Sequence, residues 1–357
     1  MRTGVADLPL HDGRCPTWLF PRMVKLSKLV SQIIIEEYGK NEFLRRLSDP
    51  LFFQAFGCLV GFDFHSSGLT TTLTGALKEA KLEEFGISVL GGKGKASRKV
   101  PQEIESLSEK FSLSTKEIEK LKYASRMSAK VDSVAVQDGY TLYHHAFIVT
   151  EDGKWSVIQQ GMNLENNYAR RYHWLSEKVV SFVNEPHLAI CCDVTGKTLN
   201  MVAKENEEVR KASVDLVNDN PEHLKKYFVS YARSTNLFKY LHMSSQHHIE
   251  LKNYETLIKV HEIQPKKFEE LLAIKGVGAK TVRALALCSE LIFGTEISWR
   301  DPVKFSFAHG GKDGYPYRIK TRQYDKTIQI LSDAIRNAQL NNREKLEAIR
   351  RLSNLFS

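Results

Sequence analysis

The spacing of hydrophobic and polar residues predicts helices in the first part of the chain. After an initial loop, the apolar positions from about Trp18 to Leu47 have helical spacing, and Ser48-Asp49-Pro50 is typical of a helix end. Another helix is predicted over residues 68–81, and two more fill roughly residues 101–130. The last of these begins with Ser114-Thr115-Lys116-Glu117, a capping box in which a hydroxyl and a carboxylate satisfy free backbone donors.

The pattern changes to strands after this helical part. Leu142–Val149 and Trp155–Gln160 are strand-like runs separated by Glu151-Asp152-Gly153-Lys154, and an Asp-Gly pair between such runs is typical of a tight hairpin turn. An earlier short strand, Ile87–Leu90, is predicted to lead into a glycine loop. These segments predict a small sheet.

The remaining pattern is mostly helical. Arg170–Trp174 is predicted to lie on a helix, and a strand, Leu188–Cys192, follows it. From about residue 203 the chain is predicted to be helical nearly to its end, apart from a loop over residues 294–319. We therefore expect an α/β or α+β N-terminal domain with a small mixed sheet, followed by an all-α C-terminal domain.

Three units follow from this organisation. Residues 1–200 are predicted to form an α/β domain that carries any catalytic site. Residues 201–263 form a helical connector, and residues 264–357 form a nucleic-acid-binding domain. No internal repeat and no low-complexity segment interrupts them.

Composition places the chain among soluble proteins. It has 357 residues, of which 42% are hydrophobic, and no apolar run approaches the roughly 20 residues of a membrane span. An acid at Asp7 stands where a signal peptide would be apolar. The cysteines are scattered and odd in number, which argues against a disulfide framework or a structural zinc site and predicts a cytoplasmic protein. They are Cys15, Cys58, Cys191, Cys192 and Cys288.

Positive charge is concentrated in two segments. The formal net charge is +9. Residues 91–130 hold ten Lys and Arg against five Glu, and residues 264–325 hold eleven against seven acids. Two basic surfaces favour a polyanionic partner such as nucleic acid, because neutralising phosphates releases counterions. Solvated helix faces are the alternative interpretation.

The second basic segment contains a glycine turn between two predicted helices. Phe268–Leu285 consists of a short helix, the turn Gly276-Val277-Gly278, and a helix from about Ala279 whose free N–H groups and dipole favour an anion. The pattern L-x-x-I-x-G-V-G-x-K-T resembles the helix–hairpin–helix family, which implies a grip on phosphate without base recognition. A ligand-free helical hairpin is the alternative. The predicted nucleic-acid contacts are Lys275, Gly276, Val277, Gly278, Lys280, Thr281 and Arg283.

Other basic residues are candidate phosphate contacts. Gly91–Lys99 combines glycines with four cations, so Lys93, Lys95 and Arg98 are predicted to contact phosphate, unless the segment is a mobile surface loop. A long loop from Trp299 to Tyr317 mixes glycines, aromatic residues and Lys312, and it either binds bases and backbone or packs as an omega loop. Two more predicted contacts, which could instead pair with acids on the surface, are Arg170 and Arg171.

Polar residues of the N-terminal part are candidate catalytic groups. Asp63 and His65 alternate with aromatic residues before a helix N-terminus. On the predicted hairpin, His144 and His145 point to opposite faces, so at most one can join a site. The predicted catalytic residues are Asp63, His65, Asp132, Asp138, His145 and Gln159. Satisfied buried polar groups are the structural alternative.

Three of these residues could hold a metal ion. Asp132, Asp138 and His145 offer the oxygen and nitrogen ligands that suit Mg²⁺ or Mn²⁺, and such an ion would activate water for phosphodiester hydrolysis. The arrangement loosely resembles the cores of restriction-endonuclease-like proteins, which carry acids on neighbouring strands. It departs from them at Gln159-Gln160, where an Asp/Glu-x-Lys pattern would be expected.

Several motifs together resemble one family along nearly the whole chain. They are Arg2–His11, Asp63–Gly68, Gly91–Lys95, Tyr143-His144-His145 and His309–Gly314. The chain is identified by them as similar to the domain-of-unknown-function family seven-six-three. That resemblance implies an archaeal or thermophilic bacterial setting and an integral helix–hairpin–helix segment, but no mechanism.

The leading functional hypothesis is a DNA-processing protein, a metal-dependent nuclease of repair or recombination. Its C-terminal turn would grip backbone while the N-terminal domain hydrolyses it, with Lys93, Lys95 and Arg171 stabilising charge on the phosphate. The alternative is a non-catalytic DNA-binding adaptor or junction-recognition protein. An enzyme that uses Gly91–Lys95 on a small phosphorylated ligand ranks third, since it leaves the turn unexplained. No membrane partner is expected, and the oligomeric state stays open.

Overall fold

The computed structural model describes residues 15, 17–62, 67–192, 194–223, 254–303 and 333. The predicted catalytic residues Asp63 and His65 and the predicted nucleic-acid contact Lys312 lie outside these residues. Among the described residues, no helix combines the length and the apolarity required to cross a membrane.

The helices of the first layer are shorter than predicted. The helical stretch expected from about Trp18 to Leu47 consists of α1 (Phe20–Tyr38) and α2 (Lys40–Ser48), which are separated because Gly39 has a φ of 84°, a value that an α-helix cannot contain. The helix end predicted at Ser48-Asp49-Pro50 is confirmed, and α3 (Pro50–Leu59) begins directly after it. Asp49 caps α3 by accepting hydrogen bonds from the backbone N–H groups of Leu51 and Phe52. The predicted helix over residues 68–81 is α4 (Gly68–Glu79).

Two helices are predicted over residues 101–130, and this segment forms three helices at the start of the second helical layer. They are α5 (Val100–Glu105), α6 (Leu107–Phe111) and α7 (Thr115–Lys130). The Ser114 capping box of α7 is formed, with both reciprocal hydrogen bonds present. A π-helical turn, Val131–Ala135, continues α7 and carries Asp132 towards the sheet.

An antiparallel sheet lies between the layers, with the strand order β1-β3-β4-β5-β6. Its strands are β1 (Ile87–Lys93), β3 (Thr141–Thr150), β4 (Trp155–Asn163), β5 (Tyr168–Leu175) and β6 (Ala189–Cys191). The hairpin predicted around Asp152-Gly153 is confirmed. A separate pair joins β2 (Val136–Gln137) to β7 (Leu199–Asn200).

Two predictions of local structure are wrong in the sheet. Arg170–Trp174, predicted as a helix, lies on strand β5, where both faces are covered and polar and apolar residues therefore do not alternate simply. Gly91, predicted in a loop, lies within β1 and pairs with Ala146 of β3. Glycine is required there because a Cβ would stand 2.2 Å from the carbonyl oxygen of His145. The mixed sheet expected from the sequence has only antiparallel pairings among the described strands.

Each face of the sheet has its own hydrophobic core. On one face, Ile148 and Ile158 pack with the apolar residues of α1 to α4. On the other, Phe147 and Val157 join a core that includes α5 to α7 and the helices after residue 206. These helices are α8 (Glu207–Asn218), α9 (Tyr254–Ile263), α10 (Phe268–Ala273) and α11 (Ala279–Phe293). This second core is continuous across the predicted domain boundary at residue 200, and the molecule is a mixed helix and sheet protein.

Candidate functional site

The turn between α10 and α11 has an exposed glycine at its centre. Gly276 has a φ of 101°, a conformation that side chains rarely adopt, and a Cβ there would lie 3.1 Å from Thr256 Oγ1. Val277 and Val282 are buried below it and attach the turn to the second core. α11 begins at Ala279, where the sequence predicts it. The turn is therefore a tight, supported structure and depends on glycine at its exposed position.

The carbonyl groups around this turn are bonded towards the protein. Lys130 Nζ donates to the carbonyl oxygens of Leu272 and Ile274, the latter at 2.6 Å. Gln137 Nε2 donates to the carbonyl oxygen of Ala279 at 2.8 Å. These oxygens would repel a phosphate, and their hydrogen bonds hold them against α7 and β2. Burial lowers the pKa of Lys130 to about 8, so it still carries its proton at neutral pH.

Exposed cations stand on both sides of the turn. Lys275 and Lys280 are exposed, and no side chain caps the N-terminus of α11 at Gly278. Thr281 is half-buried in the first turn of α11. Arg283 is used internally instead, because its Nε donates to Gln137 Oε1 at 2.7 Å.

A buried hydrogen-bonded chain lies on the face of the sheet that α7 covers. Asp132 is fully buried and accepts hydrogen bonds from Gln159 Nε2 at 2.5 Å, from Trp174 Nε1 at 2.9 Å, and from His187 Nε2. Gln159 Oε1 is 2.9 Å from His145 Nδ1. Three of the predicted catalytic residues are therefore joined in one network.

The network determines the protonation of His145. The Gln159 amide group donates to Asp132, so its oxygen is the acceptor and His145 Nδ1 is the donor. His145 Nε2 then accepts from the Ser125 hydroxyl at 2.9 Å. Burial lowers the pKa of His145 to about 4, so this imidazole is neutral at physiological pH.

The hydrogen-bond network of Asp132 reaches a cavity through His187. The sequence does not predict this cavity. His187 lines a cavity of about 110 Å³ together with the acidic residues Glu185, Glu205 and Asp301. Glu185 has a φ of 45°, uncommon for a residue with a side chain, and its N–H donates to the carbonyl oxygen of Val202 at 2.8 Å. Burial raises the pKa of Asp132, against the lowering effect of His187. The result is an imidazole held by a buried carboxylate at the wall of a small cavity lined by both charged and apolar residues.

Asp138 belongs to a different cluster. It accepts hydrogen bonds from Arg170 at 3.0 Å, from the Tyr172 hydroxyl at 2.7 Å and from the backbone N–H of Tyr140 at 3.0 Å. Arg170 also donates to Asp301 at 2.9 Å, and only 1% of its side chain is exposed. Arg170 was predicted as a nucleic-acid contact, with pairing to surface acids as the alternative. In the structure it pairs with acids, but in the interior of the protein and not at the surface.

Arg171 lies on the opposite face of the sheet, since neighbouring residues of a strand point to opposite sides. It is fully buried and donates to Gln54 Oε1 at 2.9 Å, to Thr70 Oγ1 at 3.2 Å and to His173 Nε2 at 2.8 Å. The sheet separates it from Asp132, so the structure does not bring these two predicted site residues together.

The carboxylates predicted to bind metal already have partners. Asp132 and Asp138 each accept three hydrogen bonds, and a divalent ion would have to displace these donors. Among the described residues, no three His, Cys, Asp or Glu side chains are grouped as metal ligands. In this arrangement they do not form a metal site, and Mg²⁺ or Mn²⁺ binding stays a prediction.

The family of the chain follows from its sequence as a whole. The profile of a family described as "Protein of unknown function (DUF763)" matches residues 4–319. The chain belongs to DUF763. This confirms the resemblance drawn from its motifs, and the description of DUF763 carries no activity. No curated protein matches the chain. No solved structure matches it either.

The glycine-rich motif of this DUF763 protein is part of regular structure. Lys93 ends β1, and Gly94–Lys99 forms a 3-10 helix that contains Lys95 and Arg98. All three predicted contacts are exposed, and Lys93 Nζ lies 5.8 Å from the centre of the Tyr143 ring. They remain accessible to an anion.

Sequence reasoning missed two polar residues of the DUF763 protein. His187 is 55 residues from Asp132 along the chain, and Asp301 is 131 residues from Arg170. The only local signal for His187 is its place after Pro186, directly before a predicted strand, where a histidine can reach the edge of a sheet. Asp301 has no such signal.

Proposed function

We propose that this DUF763 protein binds nucleic acid, in particular DNA, and that residues 274–280 act as the hairpin of a helix–hairpin–helix element. The observation that carries the proposal is the orientation of the turn. Its neighbouring carbonyl groups are bonded to Lys130 and Gln137, while Gly276 and two lysines remain exposed. The exposed side of the turn therefore favours an anion.

Phosphate is the anion that fits this arrangement. The first N–H groups of α11 and its dipole attract negative charge, and Gly276 permits backbone to approach closely. Lys275 and Lys280 add charge on either side. Contacts of this kind position a protein on nucleic acid but do not read its bases. Binding is therefore independent of base sequence.

We expect the double variant Lys275→Gln/Lys280→Gln to bind DNA about tenfold more weakly at low salt. Each phosphate contact contributes about 0.9 to the slope of log affinity against log salt, so the slope should become shallower by about 2. Fluorescence anisotropy with labelled duplex and single strands, between about 50 mM and about 200 mM salt, measures both quantities.

The matched control is Lys25→Gln/Lys81→Gln. These two lysines are also exposed, but they lie on the layer of α1 to α4, outside both basic segments. The control removes the same charge and should leave affinity within about twofold of the wild type. Equal losses in both double variants, or binding that does not depend on salt, would contradict the proposed role of the turn.

A second candidate is hydrolysis of the bound DNA, the nuclease predicted from the sequence. The observation that favours it is the pair of Asp132 and His187 at the cavity. A buried carboxylate that orients an imidazole suits the imidazole to take a proton from water. The cavity of about 110 Å³ has room for about three water molecules. A nucleotide is too large for it, so the scissile bond would lie at the cavity mouth.

If the protein cleaves DNA at this site, Asp132→Asn and His187→Gln should each lower the rate about 100-fold or more, the usual contribution of acid–base catalysis. The assay uses labelled single-stranded, duplex and forked DNA with Mg²⁺, with Mn²⁺ and with chelator. Asp152→Asn is the control, because it removes an exposed carboxylate of the hairpin turn.

The outcomes separate three possibilities. Cleavage that is lost with chelator and in both variants supports a metal-dependent nuclease at this site. Cleavage retained by folded Asp132→Asn and His187→Gln proteins excludes the site. DNA that is bound but intact under every condition supports the non-catalytic adaptor predicted as the alternative.

A further inference from the structure

An open groove runs along α7. It has a volume of about 790 Å³ and is lined by Lys116, Lys120 and Tyr123 of α7, and by Trp155 and Phe182. None of these residues belongs to the turn or to the Asp132 network. We define this surface as the aromatic groove.

Aromatic rings are stacked from the core towards this groove. The buried Phe147 ring stacks on Trp155 with centroids 5.8 Å apart and planes inclined by 21°. Trp155 stacks on Phe182 at 6.1 Å and 8°, and Tyr123 meets Phe182 edge-on at 5.7 Å. Phe182 and Tyr123 are half-buried. A further flat ring can extend this stack at the groove, as a nucleobase does on an aromatic platform.

The charge of the aromatic groove is positive. Lys116 and Lys120 are one helical turn apart and exposed, and neither forms an ion pair with a carboxylate in the described part of the chain. Two acidic residues lie between them in the sequence: Glu119, which also lines the groove, is paired with Lys122 at 2.9 Å, and Glu117 accepts hydrogen bonds from Ser114 in the capping box. Flat apolar surfaces beside exposed cations match bases and phosphates together. A neutral or basic peptide lacks the matching charge.

The groove and the proposed DNA-binding turn are both attached to α7. The Tyr123 hydroxyl donates to Glu269 Oε1 of α10 at 2.8 Å. At the other end of α7, Lys130 holds the carbonyl groups of the turn. At 1.5 Å per residue, the helix places Lys116 and Lys130 about 20 Å apart, so one nucleic acid can reach both surfaces.

We propose that the aromatic groove binds unpaired bases of a single strand whose neighbouring backbone is held by the turn. This inference rests on the proposed function and specifies its substrate class, DNA with a single-stranded region such as an overhang or fork. Stacking on Phe182 and Tyr123 tolerates every base, so the groove selects for unpaired strands and not for sequence.

The test compares an oligothymidine, a blunt duplex and a fork as ligands of the full chain. Phe182→Leu, which keeps apolar volume but removes the ring, should weaken oligothymidine binding about tenfold and change duplex binding less than about twofold. Phe182→Tyr should restore oligothymidine binding. Lys116→Gln/Lys120→Gln should lower oligothymidine affinity about fivefold, whereas Lys25→Gln/Lys81→Gln should not.

The results distinguish this inference from the proposed function. If Lys275→Gln/Lys280→Gln weakens binding but folded Phe182→Leu and Lys116→Gln/Lys120→Gln proteins bind oligothymidine normally, the groove inference is wrong and the turn stands. Equal losses for oligothymidine and duplex also overturn it, because they indicate general charge attraction. A polyglutamate peptide that displaces oligothymidine as well as unlabelled oligothymidine does would identify an acidic-peptide site instead. No DNA binding by the wild type would overturn both proposals.

Discussion

Replacing Arg170 with methionine is expected to lower the free energy of unfolding by about 3–5 kcal/mol. The Arg170 side chain is 1% exposed and is paired with Asp138, also 1% exposed, and with Asp301. Methionine fills a similar volume but leaves these two carboxylates without a counter-charge. The loss of stability reflects the cost of uncompensated buried charge. The substitution should also break the contact between β5 and the segment around Asp301.

Urea unfolding at neutral pH, followed by circular dichroism, measures this effect. Arg45→Met is the matched control, since Arg45 pairs with Glu177 at the surface and 45% of its side chain is exposed. Surface pairs contribute little, so the control should lose less than about 1 kcal/mol. Similar losses in the two variants would contradict the role assigned to the buried cluster. Adding Asp138→Asn to Arg170→Met should recover part of the stability.

Acidification from pH 7 to pH 5 is expected to cost about 4 kcal/mol of stability through two buried histidines. Burial lowers the pKa of His144 to about 3 and that of His145 to about 4. The unfolded chain therefore binds protons below pH 6.5 that the folded protein does not bind. The stability is fully present above pH 6.5 and is lost as pH falls towards the folded-state pKa values, at about 1.4 kcal/mol per pH unit and group.

The measurement compares urea unfolding at pH 7, 6 and 5 for the wild type, His144→Gln and His145→Gln. Each variant should lose less stability on acidification than the wild type, by about 2 kcal/mol at pH 5. The comparison of variants is decisive because burial raises the pKa of Asp132, which acts in the opposite direction. His223→Gln, at an exposed position, should leave the profile nearly unchanged. Identical profiles for all four proteins would show that the two imidazoles do not titrate as their burial requires.

Local sequence signals predicted the elements that short-range chemistry determines. The capping box at Ser114 begins α7, Asp152-Gly153 forms the hairpin turn, and the glycines at 276 and 278 precede α11. Each of these depends on hydrogen bonds or backbone angles within a few residues. For that reason one sequence was sufficient to predict them.

Local sequence signals do not predict strand β5. Helices cover both faces of the sheet, so residues on both sides of β5 are buried and the polar–apolar alternation of a half-exposed strand is absent. Arg170 and Arg171 are neighbours in the sequence and resemble one basic patch. In the structure they point to opposite faces, one towards Asp138 and the other towards Gln54.

Part of the candidate site was predicted from the sequence and part was not. Asp132, His145 and Gln159 were predicted together and are joined in one network, because Asp132 follows α7 and the other two face it from the sheet. His187 comes from a distant segment, and its approach to Asp132 depends on how β5 and β6 pack. Residue types predicted candidates for chemistry but not their partners.

The sequence by itself determined the family, the charge distribution, the glycine turn and the main helices and strands, since these depend on composition and on neighbouring residues. Only the tertiary structure decided which polar groups are accessible. Packing of two helical layers on one sheet buried Arg170, Arg171 and Asp132 and left Lys275 and Lys280 exposed. Burial is a property of the whole fold, because a residue's exposure depends on distant segments, as Arg170 depends on Asp301, 131 residues away along the chain.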